Sequence, residues 1–315
     1  MPVERIDYKY VYPMTFFEYL QAMKKNALLD ILNSISPGEQ FEFKDLASSL
    51  FKNYIITGGM PEVVNSYINS GNYDEVKTIL NRLQTAYTDD IRKYSKSNSD
   101  NKYLEYVIEY GARVAGLLFT YENFGGSNYH SREMAEAIGT VEKVMLLKQA
   151  VAISLPVLPL TPKFKRPKKM IWLDVGLVNF INDAYKELIT GVYKGRIMEQ
   201  VVGQAIISGG VHKKTELYYW AKERKHGSAE VDFCIQHGTR LVGIEVKSGN
   251  ILKLRSLFSM ASADKNVIPV RVSWDDLKIE KYEFSGKTYK LLSIPFYLID
   301  RLTDLVDRFI EKIEK

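Results

Sequence analysis

The chain has little cysteine, little histidine and no long apolar segment. Its 315 residues include one cysteine and four histidines. A single cysteine, Cys234, excludes an internal disulfide framework and any zinc site built from several thiolates. The longest apolar runs are far shorter than a bilayer requires, so we expect no membrane-spanning helix and no membrane partner. The first residues, MPVERIDYKY, lack the apolar core of a secretion signal, and we therefore expect a reducing, cytoplasmic location.

The charge balance is weakly basic. The chain has 43 Lys and Arg against 38 Asp and Glu, a formal net charge of +5, and 46% hydrophobic residues. This composition is typical of a globular protein and argues against disorder, collagen or a coiled coil. The positive residues are clustered, and each cluster could contact a phosphate backbone or form a solubilising surface. The clustered residues are Lys163, Lys165, Arg166, Lys168 and Lys169, followed by Lys222, Arg224 and Lys225.

Helix and strand signals divide the first two thirds of the chain into two regions. Residues 1–100 have apolar residues at helical spacing, interrupted by a glycine-proline stretch at 58–61. Residues 103–190 contain two short helical segments, 131–139 and 141–150, in the outline of a helix-turn-helix. Strand-like residues follow these two helical segments, and this order predicts a winged helix. Such a unit either docks on DNA with its second helix or serves as a packing module.

Residues 191–315 alternate helix and strand. A β-hairpin followed by a β-α-β order predicts an α/β (α+β) class with a mixed sheet flanked by helices. A polar run at 95–102 predicts a linker before the middle region. The predicted elements of the last region are helices at 194–208 and 252–261 and strands at 217–220, 230–236, 240–247 and 267–273.

Two acids on neighbouring strands of the hairpin are expected to face each other. Gly238 and Thr239 can form a two-residue loop, with glycine at the first position of a type II′ turn. That register places Asp232 directly opposite Glu245. The Cβ atoms of opposed side chains lie about 4.5–5.5 Å apart, and like charges at that distance destabilise a hairpin. A divalent cation would compensate the repulsion, and ligation by oxygen alone favours Mg²⁺ or Mn²⁺.

Further residues could complete such a site. Lys247 shares a strand face with Glu245 and could position a water molecule or stabilise charge on a phosphate. Glu199, on the preceding helix, could add a metal ligand. In a second interpretation, Glu230 and Lys247 form a cross-strand ion pair at the sheet surface, while Asp232 and Glu245 point into solvent.

The stretches that carry these residues resemble known families. AEVDF (229–233) and IEVKS (244–248), with Glu199 upstream, resemble the PD-(D/E)XK nuclease superfamily. The whole chain also resembles the C-terminal region of AAA-type ATPases of bacteria and archaea that carry a nuclease-like domain of unknown function. The other stretches that match are YPMTFFEYL (12–20), GGMPEVV (58–64), DIRKY (90–94), LDVGL (173–177) and YYW (218–220).

This resemblance implies a fold and a set of roles. It implies a C-terminal domain at 191–315 similar in fold to archaeal Holliday-junction resolvases, a winged-helix portion at 103–175, and a region at 1–100 that corresponds to the end of an ATPase module. The resemblance also implies that the helix acid and the two strand acids are metal ligands, and that the strand lysine is catalytic. These residues are Glu199, Asp232, Glu245 and Lys247.

The chain departs from the family pattern in two respects. The sequence has no P-loop, because the stretch GKT (286–288) has Lys281 where the first glycine must stand. We therefore expect no ATP binding and allow for a separate ATPase partner. Gln204 replaces a second helix acid that family members often show. Two functions remain open, a metal-dependent nuclease acting on DNA and a catalytically silent module that binds DNA or protein.

Overall fold

The structure is a computed structural model that describes residues 9–95, 98–184, 190–210, 215–223, 229–249 and 253–314. Within these ranges the chain forms eleven α-helices and one nine-stranded mixed sheet. The helices are α1 (Phe16–Ala22), α2 (Asn26–Ser34), α3 (Lys44–Thr57), α4 (Pro61–Ser70), α5 (Tyr73–Ile91), α6 (Asn98–Gly111), α7 (Ser131–Lys143), α8 (Val175–Ile181), α9 (Gly191–Ser208), α10 (Arg255–Ala261) and α11 (Leu302–Glu314). The strands are β1 (Leu118–Phe119), β2 (Leu147–Ile153), β3 (Lys168–Trp172), β4 (Tyr218–Ala221), β5 (Glu230–His237), β6 (Arg240–Lys247), β7 (Val267–Ser273), β8 (Lys278–Phe284) and β9 (Lys287–Pro295).

The first region is helical, as its apolar spacing predicts, and local capping sets its helix ends. Thr15 and Glu18 form a reciprocal capping box at the start of α1. Pro61 occupies the first turn of α4, where its missing N–H costs nothing. Gly71 ends that helix in the left-handed conformation, and Asn72 then caps α5 through its side chain.

The helix-turn-helix prediction in the middle region is wrong. One helix, α7, runs continuously from Ser131 to Lys143, and the chain then enters β2 at Leu147. Gly139 lies inside α7 because the apolar stripe of the helix continues past it to Val141, which is fully buried. Burial of that stripe outweighs the cost of about 1 kcal/mol that glycine adds to a helix interior.

The linker prediction at 95–102 is also wrong in part. Helix α6 begins at Asn98, inside the predicted linker, while residues 96–97 lie outside the described ranges. Strands β8 and β9 and helix α11 have no counterpart among the predicted elements. The strand predicted at 267–273 is confirmed with its bounds.

A single sheet joins the middle and C-terminal regions, and the α/β class with a mixed sheet is confirmed. Its strand order is β1-β3-β2-β4-β5-β6-β7-β9-β8. Strand β2 pairs in parallel with β4, so the sheet crosses directly from one region to the next. Helix α9 packs on one face against β3 and β6, and α10 packs on the other against β5, β6 and β7. The site described below lies where α9, β3, β5 and β6 meet.

The hairpin turn between β5 and β6 follows its sequence prediction. Gly238 and Thr239 form a two-residue loop, closed by the pair His237↔Arg240. Gly238 has a φ of +58°, which glycine adopts without a steric penalty. In the described part of the chain, none of the helices combines the length and the apolar composition needed to span a bilayer.

Candidate active site

The acid on β5 sits at an irregularity in the sheet. The pairing of β4 with β5 shifts after Tyr218↔Cys234, so that β5 bulges at Asp232. Val231 and Cys234, which a regular strand would send to opposite faces, contact the same apolar cluster. A bulge of this kind redirects a side chain. The carboxylate of Asp232 accepts the backbone N–H of Val246 at 2.8 Å on its Oδ2 atom.

The β5–β6 ladder ends before the predicted pair of Asp232 and Glu245. The ladder between β5 and β6 keeps the predicted register up to Phe233↔Ile244, one position before the two acids. Beyond that pair, the backbone N–H of Val246 donates to the side-chain carboxylate of Asp232. The charge of Asp232 nevertheless acts on Glu245, so the two carboxylates are electrostatic neighbours.

Glu245 is a buried carboxylate with a hydrogen bond to one of its two oxygens. Its residue exposure is 6%, and its Oε1 accepts a hydrogen bond of 2.6 Å from Nζ of Lys247. Its Oε2 atom is buried without a hydrogen-bond partner in the described part of the protein. Burial and the charge of Asp232 raise the pKa of Glu245 to about 7, although Lys247 and Lys169 act to lower it.

The sequence interpretation misplaced Lys169, which lies in the acid cluster. The sequence predicts a cation at the protein surface. In the structure, the Lys169 side chain is 2% exposed and enters the acid cluster from β3. The Nζ atom lies 2.6 Å from Oε2 of Glu199, 3.2 Å from Oδ1 of Asp232 and 3.7 Å from Oε1 of Glu230. Burial lowers the pKa of Lys169, but the three carboxylates outweigh burial and hold the pKa above its ordinary value.

The cluster therefore contains two lysine–carboxylate groups. Glu199 pairs with Lys169, and burial together with the charge of Asp232 raises the pKa of Glu199 to about 8. Glu230 also faces Lys169, while Lys247 pairs with Glu245. The cross-strand ion pair between Glu230 and Lys247 in the second sequence interpretation is thus wrong, because each side chain has a different partner.

The remaining basic residues of the first cluster serve different purposes. Arg166 donates to the backbone carbonyls of Ala221 and Lys222 at 3.3 and 3.1 Å, so its guanidinium is used within the fold. Lys168 donates to a backbone carbonyl at 2.9 Å and lies over an aromatic ring. Lys163 and Lys222 are half-buried and Lys165 is exposed, and Arg224 and Lys225 lie outside the described ranges.

The predicted metal ligands do not form a complete metal cage. Over the described ranges, no group of three or more His, Cys, Asp or Glu side chains converges in a way that could hold a metal ion. Gln204, in the place of a second helix acid, is buried and its Nε2 lies 3.4 Å from the hydroxyl of Tyr54. That part of α9 therefore contacts the N-terminal helices.

Three of the matching stretches meet in a buried junction away from the acids. The carboxylate of Asp174 accepts the N–H groups of Gly59 at 2.7 Å and Leu177 at 3.0 Å. Met14 donates its N–H to the carbonyl of Gly59 at 2.7 Å. Gly58 has a φ of +73°, and a Cβ there would overlap the Asp174 carboxylate. These stretches therefore serve to fasten the N-terminal helices to α8.

Comparisons with protein families match two separate segments of the chain. Residues 194–297 match a domain of unknown function, DUF4143. This domain is common in proteins associated with AAA-type ATPases. Residues 48–187 match a second domain of unknown function, DUF8612. Comparisons with curated proteins and with solved structures gave no match.

Proposed function

We propose that this protein is a metal-dependent nuclease that hydrolyses phosphodiester bonds in DNA, with its active site at Glu199, Asp232, Glu245 and Lys247. The observation that supports this most directly is the buried, unpartnered Oε2 atom of Glu245 beside a second carboxylate. A buried acceptor without a partner costs free energy, and such groups concentrate at functional sites. A bound cation would satisfy this oxygen.

The donor set suits Mg²⁺ or Mn²⁺ even though the side chains do not form a full cage. Mg²⁺ retains several waters and is usually held by one or two carboxylates together with substrate phosphates. Asp232 and Glu245 would supply these carboxylates, with Glu199 nearby on α9. Bound Mg²⁺ would polarise the phosphate and lower the pKa of a water molecule.

Other groups of the protein would hold the acids in position and balance the negative charge of the phosphate. Lys247 is half-buried and pairs with Glu245, so its ammonium is fixed where negative charge would develop on a phosphate. Glu199 is held by Lys169 at 2.6 Å, which fixes its orientation. The backbone N–H of Val246 fixes the Asp232 carboxylate in turn.

We also propose the finer fold assignments that the resemblance implies. Strands β4, β5 and β6 form an antiparallel meander between α9 and α10, which fits a PD-(D/E)XK core. The order β1-β3-β2, with α6 and α7 packed together beside it, fits a winged helix whose main helix is α7. A separate AAA-type ATPase is the partner that the DUF4143 match suggests.

A second function, a catalytically silent binding module, is favoured by Lys169. Its ammonium already lies among three carboxylates and supplies a positive charge that a metal ion would otherwise provide. A protein that had lost catalysis could keep its fold with this internal counter-charge.

A cleavage assay separates the two functions. Branched and single-stranded DNA are incubated with the full chain in Mg²⁺, in Mn²⁺ and in EDTA. We expect cleavage that requires metal and falls roughly 100-fold or more in Asp232→Asn, with Asp45→Asn, an exposed acid on α3, as the matched control. Absence of cleavage from every substrate, or cleavage unchanged in Asp232→Asn, would overturn the nuclease proposal in favour of the silent module.

A further inference from the structure

The loop between β2 and β3 presents an exposed aromatic ring between two lysines. Phe164 is 68% exposed, although large apolar side chains are usually covered. Of its two neighbours, Lys165 is exposed and Lys163 is half-buried, so both ammonium groups can reach a ligand at the surface. Exposed apolar residues also occur earlier in the same loop, at Leu155 and Val157.

This loop is fastened to the sheet close to Phe164. Arg166 donates to the carbonyls of Ala221 and Lys222, and the hydroxyl of Tyr219 donates to the carbonyl of Pro167. The backbone N–H of Lys163 donates to the carbonyl of Ala152 at 2.7 Å. The aromatic ring is therefore displayed on an anchored turn.

Beside this turn lies a groove with aromatic walls. Tyr121, Phe164, Tyr218 and Lys168 line a groove of about 290 Å³. Lys168 lies 4.5 Å from the centre of the Tyr121 ring. The wall therefore combines π-faces with positive charge.

The acids of the groove are already engaged. Glu142 pairs with Lys148 at 3.3 Å, and Glu216 accepts the hydroxyl of Tyr218. The groove contains Lys148 and Lys168, and the loop adds Lys163 and Lys165. These four lysines stand against two glutamates, Glu142 and Glu216. The surplus charge is positive, which favours an anionic ligand.

The same loop borders the acid cluster of the proposed active site. Arg166 binds the carbonyl of Ala221, and Ala221 pairs with Glu230, which in turn faces Lys169. The loop and the acid cluster are thus linked through the backbone of β4 and β5.

We propose that Phe164 and its two flanking lysines bind an unpaired single strand of DNA. A base stacks on the Phe164 ring, while Lys163 and Lys165 contact phosphates on either side. Only an unpaired strand offers free base faces for stacking, so the substrate class is a single-stranded end or flap. This inference rests on the proposed nuclease function and names its substrate.

A binding experiment without metal tests this assignment independently of cleavage. Fluorescence anisotropy of a labelled 15-nucleotide oligo-dT is measured in EDTA at 50 and 200 mM salt with the full chain. We expect Phe164→Ala to weaken binding roughly tenfold. The double variant Lys163→Ala/Lys165→Ala should reduce the steepness of log affinity against log salt by about 1.4. The control is Lys281→Ala/Lys290→Ala, an exposed lysine pair on the opposite edge of the sheet, which should leave binding unchanged.

The outcomes distinguish this inference from the nuclease proposal. Asp232→Asn should bind oligo-dT like the wild type, because the acid cluster is not needed for stacking. Equal binding by Phe164→Ala and wild type, or equal affinity for a blunt duplex and for oligo-dT, would overturn the inference even if the protein cleaves DNA. Loss of cleavage in Asp232→Asn with intact binding of oligo-dT would support both the nuclease proposal and the single-strand binding surface. Binding of an acidic peptide but not of oligo-dT would also overturn the inference, since it would make this face a protein-docking surface.

Discussion

The Nζ atom of Lys169 lies 2.6 Å from the Oε2 atom of Glu199, and the lysine side chain is 2% exposed. An amine from the middle region thereby neutralises part of an acid cluster that belongs to the C-terminal region. The cluster holds four carboxylates, those of Glu199, Glu230, Asp232 and Glu245. Removing its internal cation should therefore affect both folding and metal binding.

The substitution Lys169→Met keeps the length and apolar body of the side chain but removes the charge. It leaves buried carboxylates without their cation, and we expect the free energy of unfolding to fall by roughly 3–5 kcal/mol. Millimolar Mg²⁺ should restore part of the loss if the carboxylates can bind metal. Urea unfolding with and without Mg²⁺ measures both effects. Lys168→Met, the adjacent residue whose ammonium lies over an aromatic ring, is the control, and an equal loss in both variants would contradict the role of Lys169.

The substitution Lys247→Met tests the lysine on β6. Its ammonium is the hydrogen-bond partner of the buried Glu245, so we expect the free energy of unfolding to fall by roughly 1–3 kcal/mol. DNA cleavage in Mg²⁺, in contrast, should fall roughly 100-fold, because the charge on the phosphate would lose its nearest cation. Steady-state cleavage rates and a thermal melt are the two measurements. Cleavage at the wild-type rate would remove Lys247 from the site.

The pH dependence of stability should reveal the buried carboxyl of Asp174. Burial raises the pKa of Asp174 from 3.8 to about 6, although N–H groups such as that of Gly59 lower it. The folded state therefore retains a proton that the unfolded state has lost. This contribution to stability is complete below about pH 4 and is lost as the pH rises through 6.

Comparison with Asp174→Asn isolates that contribution. The difference in unfolding free energy, wild type minus Asp174→Asn, should fall by roughly 3 kcal/mol between pH 4 and pH 7 and then remain level. Urea unfolding of both proteins at several pH values provides the curve. A difference that stays constant with pH would show that Asp174 ionises at its ordinary pKa.

Gly58 should be far less tolerant of alanine than Gly71, which has the ordinary left-handed conformation. Its φ is +73° with ψ of −169°, a region that is essentially confined to glycine, and a Cβ there would overlap the Asp174 carboxylate. We expect Gly58→Ala to lower the free energy of unfolding by roughly 3 kcal/mol or more. Gly71→Ala, at φ +62° with open space around it, should cost about 1 kcal/mol. Equal losses in denaturant unfolding would contradict the steric explanation.

The sequence was informative wherever short-range chemistry decides the structure. The caps around Pro61 and Gly71 and the glycine turn at Gly238 are local signals, and the corresponding helix ends and hairpin register are confirmed. Because strand register follows from the turn, the proximity of Asp232 and Glu245 could be predicted from the sequence.

The misplaced features depend on contacts between distant parts of the chain. Lys168 and Lys169 are adjacent lysines, and the pleat of β3 sends one to an aromatic ring and the other into the acid cluster. Which of the two turns inward depends on the pairing of β3 within the sheet. The bulge at Asp232 likewise arises from β4, which the hairpin sequence does not contain. The helix through Gly139 persists because its buried stripe outweighs a local stop signal.

The parallel pairing of β2 with β4 has a practical consequence for anyone who wishes to isolate the segment that matches DUF4143. A fragment that starts near residue 191 would expose the hydrogen-bonding edge of β4, which invites self-association of the kind that unprotected sheet edges cause. The same cut would discard Lys169 and leave the carboxylates without their amine. Biochemical inactivity of such a fragment would therefore reflect the truncation and say nothing about the chemistry of the intact chain.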